Sequence, residues 1–114
     1  VSDSMATINH GEPSFELYDE VVSESKGRII NSEGKLAGSS ITQIDAIKNA
    51  YQKCNIPLES AISMATLYPA EYLGISDYLG QIKKDFRADL VHFNSDFKIQ
   101  NVWVEGNLIN RGQS

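Results

Sequence analysis

The sequence has little cysteine and no long apolar run, and each shortage argues against a class of protein. Cys54 is the single cysteine among 114 residues, so no disulfide can form within the chain and nothing indicates an oxidising compartment. We predict that Cys54 is a small apolar residue on a helix face. No apolar run approaches the roughly 20 residues of a membrane-spanning helix, and no signal peptide is visible. We therefore expect a cytoplasmic protein without a membrane partner.

Positive charge is also scarce. Ten Lys and Arg residues stand against 15 Asp and Glu residues, which gives a net charge of −5. Because nucleic-acid binders need a surplus of Lys and Arg, we expect no nucleic-acid partner. The two histidines, His10 and His92, form no His-x-His or His-x-x-x-His pair, and metal sites need three or four donors. We predict that neither histidine is a metal ligand.

The length of the chain is that of one domain, but its first residue, Val1, is not a methionine. We expect the sequence to begin inside a longer polypeptide. Short strands are predicted at Phe15–Tyr18 and Arg28–Ile30, with a polar turn at residues 23–27 between them. A second turn is predicted at residues 31–34, where glycine can take a positive φ.

The clearest helix is predicted over residues 43–54. Thr42 can cap its N-terminus, and Asp45 three residues later resembles the second half of a capping box. The apolar residues follow the three-to-four spacing of a buried stripe. They are Ile44, Ile47, Ala50, Tyr51 and Cys54.

Further helix is predicted from Pro57 or Leu58 to about residue 67, and a last short turn of helix from Pro69 to Gly74. The pattern then becomes β-type, with predicted strands at Ala88–Phe93, at 98–104 and at 108–109. Helices in the middle and a β-meander at the end indicate the α/β class. Three terminal strands make a thin sheet, which we expect to join a larger sheet supplied by another segment.

Two short segments carry the candidate chemistry. Asp3, within Val1–Ser4, follows what resembles a strand end, where α/β enzymes often place catalytic groups. The second segment, Leu36–Thr42, reads as a small glycine-containing turn that leads into a helix. Small residues let a ligand approach the backbone, and the helix start offers N–H groups to a polar or anionic ligand.

Together these segments resemble the N-acetylglucosamine-6-phosphate deacetylase family of the amidohydrolase superfamily, over essentially the whole chain. Val1–Ser4 is similar to the family's Val-Thr-Asp-Ala at the end of the eighth barrel strand. Glu33–Thr42 is similar to its Gly-x-Leu-(Ala/Ser)-Gly-Ser-x-(Leu/Ile)-Thr, the narrowest motif. Met64–Ala70 reinforces the match, whereas Leu79–Ile82 and Ala88–Val91 point only to the superfamily.

The resemblance implies the C-terminal part of a (β/α)8 barrel and the terminal strands of a small β-sandwich. Residues 1–78 would supply the end of the last barrel strand and the closing helices, and residues 79–114 the sandwich strands. Asp85 stands where the superfamily usually has glycine. Asp tolerates a left-handed backbone better than most residues, so this departure bears on the local turn geometry and not on the family.

The resemblance also implies metal-assisted hydrolysis of N-acetylglucosamine 6-phosphate to glucosamine 6-phosphate and acetate. Asp3 would be the catalytic base, and Leu36, Ala37 and Gly38 would contact this amino-sugar phosphate. The divalent metal of the intact parent, zinc or iron, would be held by a Glu and two His residues upstream. We therefore expect the chain to bind no catalytic metal and to be inactive alone.

Two alternatives stay open beside the deacetylase. One is another amidohydrolase, such as a dihydroorotase-like or adenine-deaminase-like enzyme. The narrow motif at 36–42 argues against this alternative. The other is a non-catalytic remnant or oligomerisation module. A truncated barrel exposes apolar helix faces and open strand edges, which favour association, so we expect a homo-oligomer.

Overall fold

The computed structural model describes residues 14–17, 20–25, 28–30 and 36–111. The chain divides into two compact units, Val1–Ala46 and Ile47–Ser114. This division falls inside the first helix, whereas the domain boundary expected from the family resemblance lies between residues 78 and 79. The latter boundary stays a prediction about the parent fold. No helix in the described ranges is long and apolar enough to cross a membrane.

The first unit contains a four-stranded antiparallel sheet in chain order. Its strands are β1 Ser14–Leu17, β2 Glu20–Ser25, β3 Arg28–Ile30 and β4 Leu36–Ser39. The expected turn at 23–27 is wrong at its start, because residues 23–25 continue β2 and pair with β3. Backbone pairing therefore overrides the polar character of Ser23, Glu24 and Ser25.

Helix α1 Gln43–Lys53 begins where the capping signals predict. The Asp45 carboxylate accepts hydrogen bonds from the Thr42 N–H at 3.0 Å and the Thr42 hydroxyl at 2.8 Å. The predicted buried stripe is only partly correct. No residue of α1 is buried, Tyr51 is 42% exposed, and Cys54 lies beyond the helix and is exposed.

Two short helices follow in the second unit, α2 Leu58–Ala65 and α3 Leu67–Leu73. Two separate helices are predicted here, but the break between them lies slightly earlier than predicted, at Thr66 with φ −131° and ψ −78°. The Thr66 hydroxyl donates to the Ile62 carbonyl at 2.8 Å and closes the last turn of α2. Helix α3 then ends at Gly74, whose φ of 74° forms a left-handed cap.

The core of this unit is small. Among residues with described side chains, the buried apolar ones are Ala61 and Ala70, at 2% and 5% exposure. Gly80 packs closely against α3, because a Cβ built on it would lie 2.9 Å from the Ala70 Cβ. Asp85 has a φ of 68°, so it adopts the left-handed conformation that glycine takes most readily.

The chain ends in the predicted antiparallel meander of β5 Leu90–Phe93, β6 Ile99–Val104 and β7 Asn107–Arg111. Strand β5 begins two residues later than predicted. Glu105 and Gly106 form the two-residue turn between β6 and β7, with φ values of 51° and 81°. Two positive φ angles match the twist of a hairpin turn.

Candidate functional site

The structure describes one of the two candidate segments. Asp3 lies outside the described residues, so its predicted catalytic role stays a prediction. Leu36, Ala37 and Gly38 belong to strand β4 and pair with β3, so the expectation of a simple turn there is wrong. The link to α1 is confined to residues 40–42.

Strand β4 is interrupted by a bulge at the candidate substrate contact. Ile30 pairs with Leu36 and Ile29 pairs with Gly38, which leaves Ala37 as the extra residue on β4. Gly38 is buried and has a φ of 153°, a conformation that L side chains rarely adopt. Bulges re-aim the backbone and are common beside active sites. Ala37 and Gly38 thus lie in an irregular strand and not in a turn.

The start of α1 is already capped from within the chain. The Asp45 N–H donates to the Thr42 hydroxyl oxygen at 3.2 Å, and the Ala46 N–H donates to the Thr42 carbonyl at 3.0 Å. The Asp45 carboxylate in the first turn offsets the positive end of the helix dipole. The expectation that this helix start offers free N–H groups to an anion is therefore wrong for Thr42, Asp45 and Ala46. The capping box itself is confirmed.

The histidines do not form a metal site in the described part of the chain. His92 is exposed on β5, and its Nδ1 lies 3.3 Å from the side-chain nitrogen of Asn101 on β6. No cluster of three His, Cys, Asp or Glu residues able to hold a metal ion occurs within the described ranges. His10 lies outside them.

A charged cluster that the sequence analysis missed supports the β6–β7 turn. The Asp89 carboxylate accepts from the Glu105 N–H at 2.9 Å and contacts the Arg87 Nε at 2.8 Å. The Glu105 carboxylate lies 3.3 Å from the other end of the Arg87 guanidinium. The hydrogen bond from Glu105, with smaller help from Arg87, holds the pKa of Asp89 below its ordinary value. In the sequence this cluster shows only as an Arg-x-Asp spacing beside a predicted strand. That spacing is too common in proteins to identify a charged cluster.

Comparison with known proteins decides the family. The family model described as "Amidohydrolase family" matches residues 15–109. The chain belongs to the amidohydrolase family. The match includes β4 with its bulge, all three helices and most of the terminal meander, so the sequence resemblance to the superfamily is confirmed.

Among its amidohydrolase relatives, the chain is 35% identical over 109 residues to the N-acetylglucosamine-6-phosphate deacetylase of Vibrio furnissii. It is 31% identical over 108 residues to the N-acetylgalactosamine-6-phosphate deacetylase of Escherichia coli O157:H7. These matches cover 96% and 95% of this chain, but 27% and 29% of those proteins. The chain therefore spans between a quarter and a third of the length of these two relatives.

The fold agrees with that of a solved deacetylase. The crystal structure of N-acetylglucosamine-6-phosphate deacetylase from Pasteurella multocida superposes with a TM-score of 0.91 and 33% sequence identity. The superposition covers 96% of this chain and 29% of the Pasteurella chain. This amidohydrolase chain is thus α/β, and its sheets are antiparallel.

Proposed function

We propose that the chain is the C-terminal segment of a metal-dependent deacetylase that hydrolyses N-acetylglucosamine 6-phosphate to glucosamine 6-phosphate and acetate. The observation that carries this proposal is the fold match to the Pasteurella deacetylase over 96% of the chain. The bulge at Ala37 and Gly38 supports it, because it lies at the segment assigned to substrate contact.

The metal of the proposed parent does not fit the described residues, because they contain no cluster of three suitable donors. As the family resemblance implies, the proposal places the metal ligands in polypeptide upstream of this chain. In the parent enzyme the metal, zinc or iron, would supply an activated water and polarise the acetyl carbonyl.

Asp3 is proposed as the general base and general acid of the same site. A carboxylate is ionised at neutral pH, so it can take a proton from the water that attacks the amide carbonyl. As the C–N bond breaks, the protonated carboxyl returns that proton to the departing sugar amine. This exchange needs no further proton donor from the chain.

Leu36, Ala37 and Gly38 are proposed to contact the substrate through the backbone. Gly38 has no Cβ, and a bulged strand has backbone groups that are not used in regular pairing. Such groups can bind the hydroxyl groups of a sugar phosphate. The capped start of α1 is not proposed as the phosphate site, because the Asp45 carboxylate already lies there.

A chimeric enzyme tests this proposal. The 109 residues of the Vibrio furnissii deacetylase that match are replaced by this chain, and acetate release from N-acetylglucosamine 6-phosphate is measured. We expect activity, and we expect Asp3→Asn to lower kcat by about 100- to 10,000-fold, as loss of a proton-transferring group does. Asp77→Asn, which changes an exposed carboxylate in the same way, serves as the matched control.

The same chimera separates the alternatives. Preference for the C4 epimer, N-acetylgalactosamine 6-phosphate, would change the proposed substrate but keep the reaction. Turnover of dihydroorotate or adenine instead would establish another amidohydrolase. A folded chimera that is inactive on all of these substrates, or one in which Asp3→Asn has no effect, would contradict the proposed role of the chain.

A further inference from the structure

Strand β4, which carries the proposed substrate contacts, has little support from its own sheet. It is the edge strand of the described four-stranded sheet, and its neighbour β3 is three residues long. The bulge at Ala37 also interrupts the pairing between the two strands. A binding site needs its groups held within about 0.5 Å of the productive geometry. The position of β4 therefore depends on the chain that flanks it as well as on β3.

The link that follows β4 ends at a firmly bound residue, Thr42. Residues 40–42 join β4 to α1, and three residues span at most about 11 Å. The place of Thr42 therefore limits where Gly38 and the rest of β4 can lie. The Thr42 carbonyl accepts from the Ala46 N–H at 3.0 Å, and its hydroxyl oxygen accepts from the Asp45 N–H at 3.2 Å. The N–H of Thr42 donates to the Asp45 carboxylate at 3.0 Å.

The Asp45 carboxylate acts on the link as well as on the helix. The Thr42 N–H belongs to the peptide between Ile41 and Thr42, which is the last peptide of the link. The same carboxylate oxygen accepts from the Thr42 hydroxyl at 2.8 Å, so one side chain makes two bonds that orient Thr42. The bond to the N–H is the half of a capping box that reaches back from the first turn. Asp45 thus fixes the end of the link, three residues beyond Ser39 at the end of β4.

We propose that Asp45 is a positioning residue for substrate binding. Its carboxylate orients the last peptide of the link, and the link sets the place of Ala37 and Gly38 on β4. Asp45 is assigned no contact with the substrate itself. The inference rests on the proposed function, because it requires the backbone at 36–38 to contact an amino-sugar phosphate. Contacts to sugar hydroxyl groups are made in the ground state and the transition state alike, so their loss raises KM and leaves kcat unchanged.

Steady-state kinetics of the Vibrio chimera on N-acetylglucosamine 6-phosphate test this role. Asp45→Ala removes both bonds to Thr42, whereas Asp45→Glu keeps them, because Glu is the usual residue at this position of a capping box. Ala50→Gly, inside α1, is the matched control. Glycine in a helix interior destabilises it about as much as the loss of a cap does, but this change leaves the link intact. Urea unfolding checks that Asp45→Ala and Ala50→Gly are equally destabilised.

We expect Asp45→Ala to raise KM by about tenfold with little change in kcat, since a displacement of about 1 Å can cost up to about 100-fold. Asp45→Glu should restore KM, and Ala50→Gly should leave it unchanged. A purely structural effect lowers the folded fraction of the chimera, which reduces the apparent kcat and not KM. If Asp45→Ala does not fold, Asp45→Asn repeats the measurement. Its neutral amide is a weaker acceptor than a carboxylate, so a smaller rise in KM is expected.

Three results would overturn the positioning role while the proposed function stands. They are an unchanged KM in an active Asp45→Ala chimera, an equal rise in KM for Ala50→Gly, and a raised KM that Asp45→Glu does not restore. A folded wild-type chimera without activity would overturn the proposed function and this inference with it. A graft into the Pasteurella deacetylase serves for all of these measurements if the Vibrio chimera does not fold.

Discussion

At the scale of single residues, two glycines with left-handed backbones allow two costs of a Gly→Ala substitution to be measured separately. One is backbone strain, and the other is steric overlap of the added methyl group. A Cβ at Gly74, with φ 74°, would meet nothing within 4 Å, whereas one at Gly80, with φ 97°, would meet the Ala70 Cβ at 2.9 Å and the Leu67 Cα at 3.1 Å. We expect Gly74→Ala to cost about 1–2 kcal/mol, the strain of a left-handed alanine. Gly80→Ala should cost about 1–3 kcal/mol more, because the methyl group also overpacks α3. Urea unfolding of both variants measures the difference in unfolding free energy. Equal destabilisation by the two substitutions would show that α3 moves away from the added methyl group without loss of stability.

Asp89 is the residue for which the structure predicts a pH dependence. The Glu105 N–H and the Arg87 guanidinium hold the folded-state pKa of Asp89 below its ordinary value of 3.8. A lowered pKa means that the carboxylate stabilises the fold at pH values above 3.8, and that this contribution is lost as the pH falls through the folded-state pKa. We expect the difference in unfolding free energy between wild type and Asp89→Asn to be largest at neutral pH and to shrink below pH 3.8.

Urea titrations at neutral pH and at several points below pH 3.8 measure that difference. Asp77→Asn provides the control, since Asp77 is an exposed carboxylate. A difference for Asp89→Asn that stays constant across this pH range would show that the charge of Asp89 does not hold the β6–β7 turn.

At the scale of elements, the start of α1 depends on the reciprocal contacts between Thr42 and Asp45. Each side chain binds the backbone N–H of the other residue, at 3.0 and 3.2 Å. We expect Thr42→Ala and Asp45→Ala each to destabilise the helix by about 1 kcal/mol, the usual loss for a cap. The double variant should cost clearly less than the sum, because either change breaks the pair. A double-mutant cycle in urea measures this coupling, and strict additivity would contradict it.

The elements that could be predicted from sequence are those whose signals are local. Thr42 and Asp45 predict the start of α1 because capping involves residues three apart, and the terminal strands alternate between turns. Strand β2 was missed in part because its polar residues 23–25 are ordered by pairing with β3, which sequence spacing does not reveal. The break between α2 and α3 was predicted but placed slightly too late, because the hydrogen bond from the Thr66 hydroxyl to the Ile62 carbonyl cannot be read from the helical pattern.

The candidate site was predictable only in part for a related reason. The motif at 36–42 located the segment, but small residues there suit a turn and a bulged strand equally well. The bulge depends on the register with Ile29 and Ile30 of β3, which is set by backbone pairing. The proposed catalytic role of Asp3 comes only from the family resemblance, because no local pattern distinguishes a catalytic carboxylate from one that caps a turn.

At the scale of the whole molecule, we predict that the chain has no turnover by itself, because its described residues contain no group of three metal donors. Hydrolysis of an unactivated amide needs both an activated water and a polarised carbonyl, and a lone carboxylate supplies neither at a useful rate. We expect the isolated chain, with zinc or ferrous iron added, to release acetate from N-acetylglucosamine 6-phosphate at the rate of the metal in buffer.

Equilibrium dialysis against the same metals tests separately whether the isolated chain lacks turnover because it binds no metal. No tight stoichiometric binding is expected, since a catalytic site commonly uses three protein donors and the described residues contain no such cluster. Under identical conditions the Vibrio chimera is expected to bind metal and release acetate. If the isolated chain both retained one metal ion and turned over, the donors would lie within its 114 residues, and the assignment of the metal ligands to other polypeptide would be wrong.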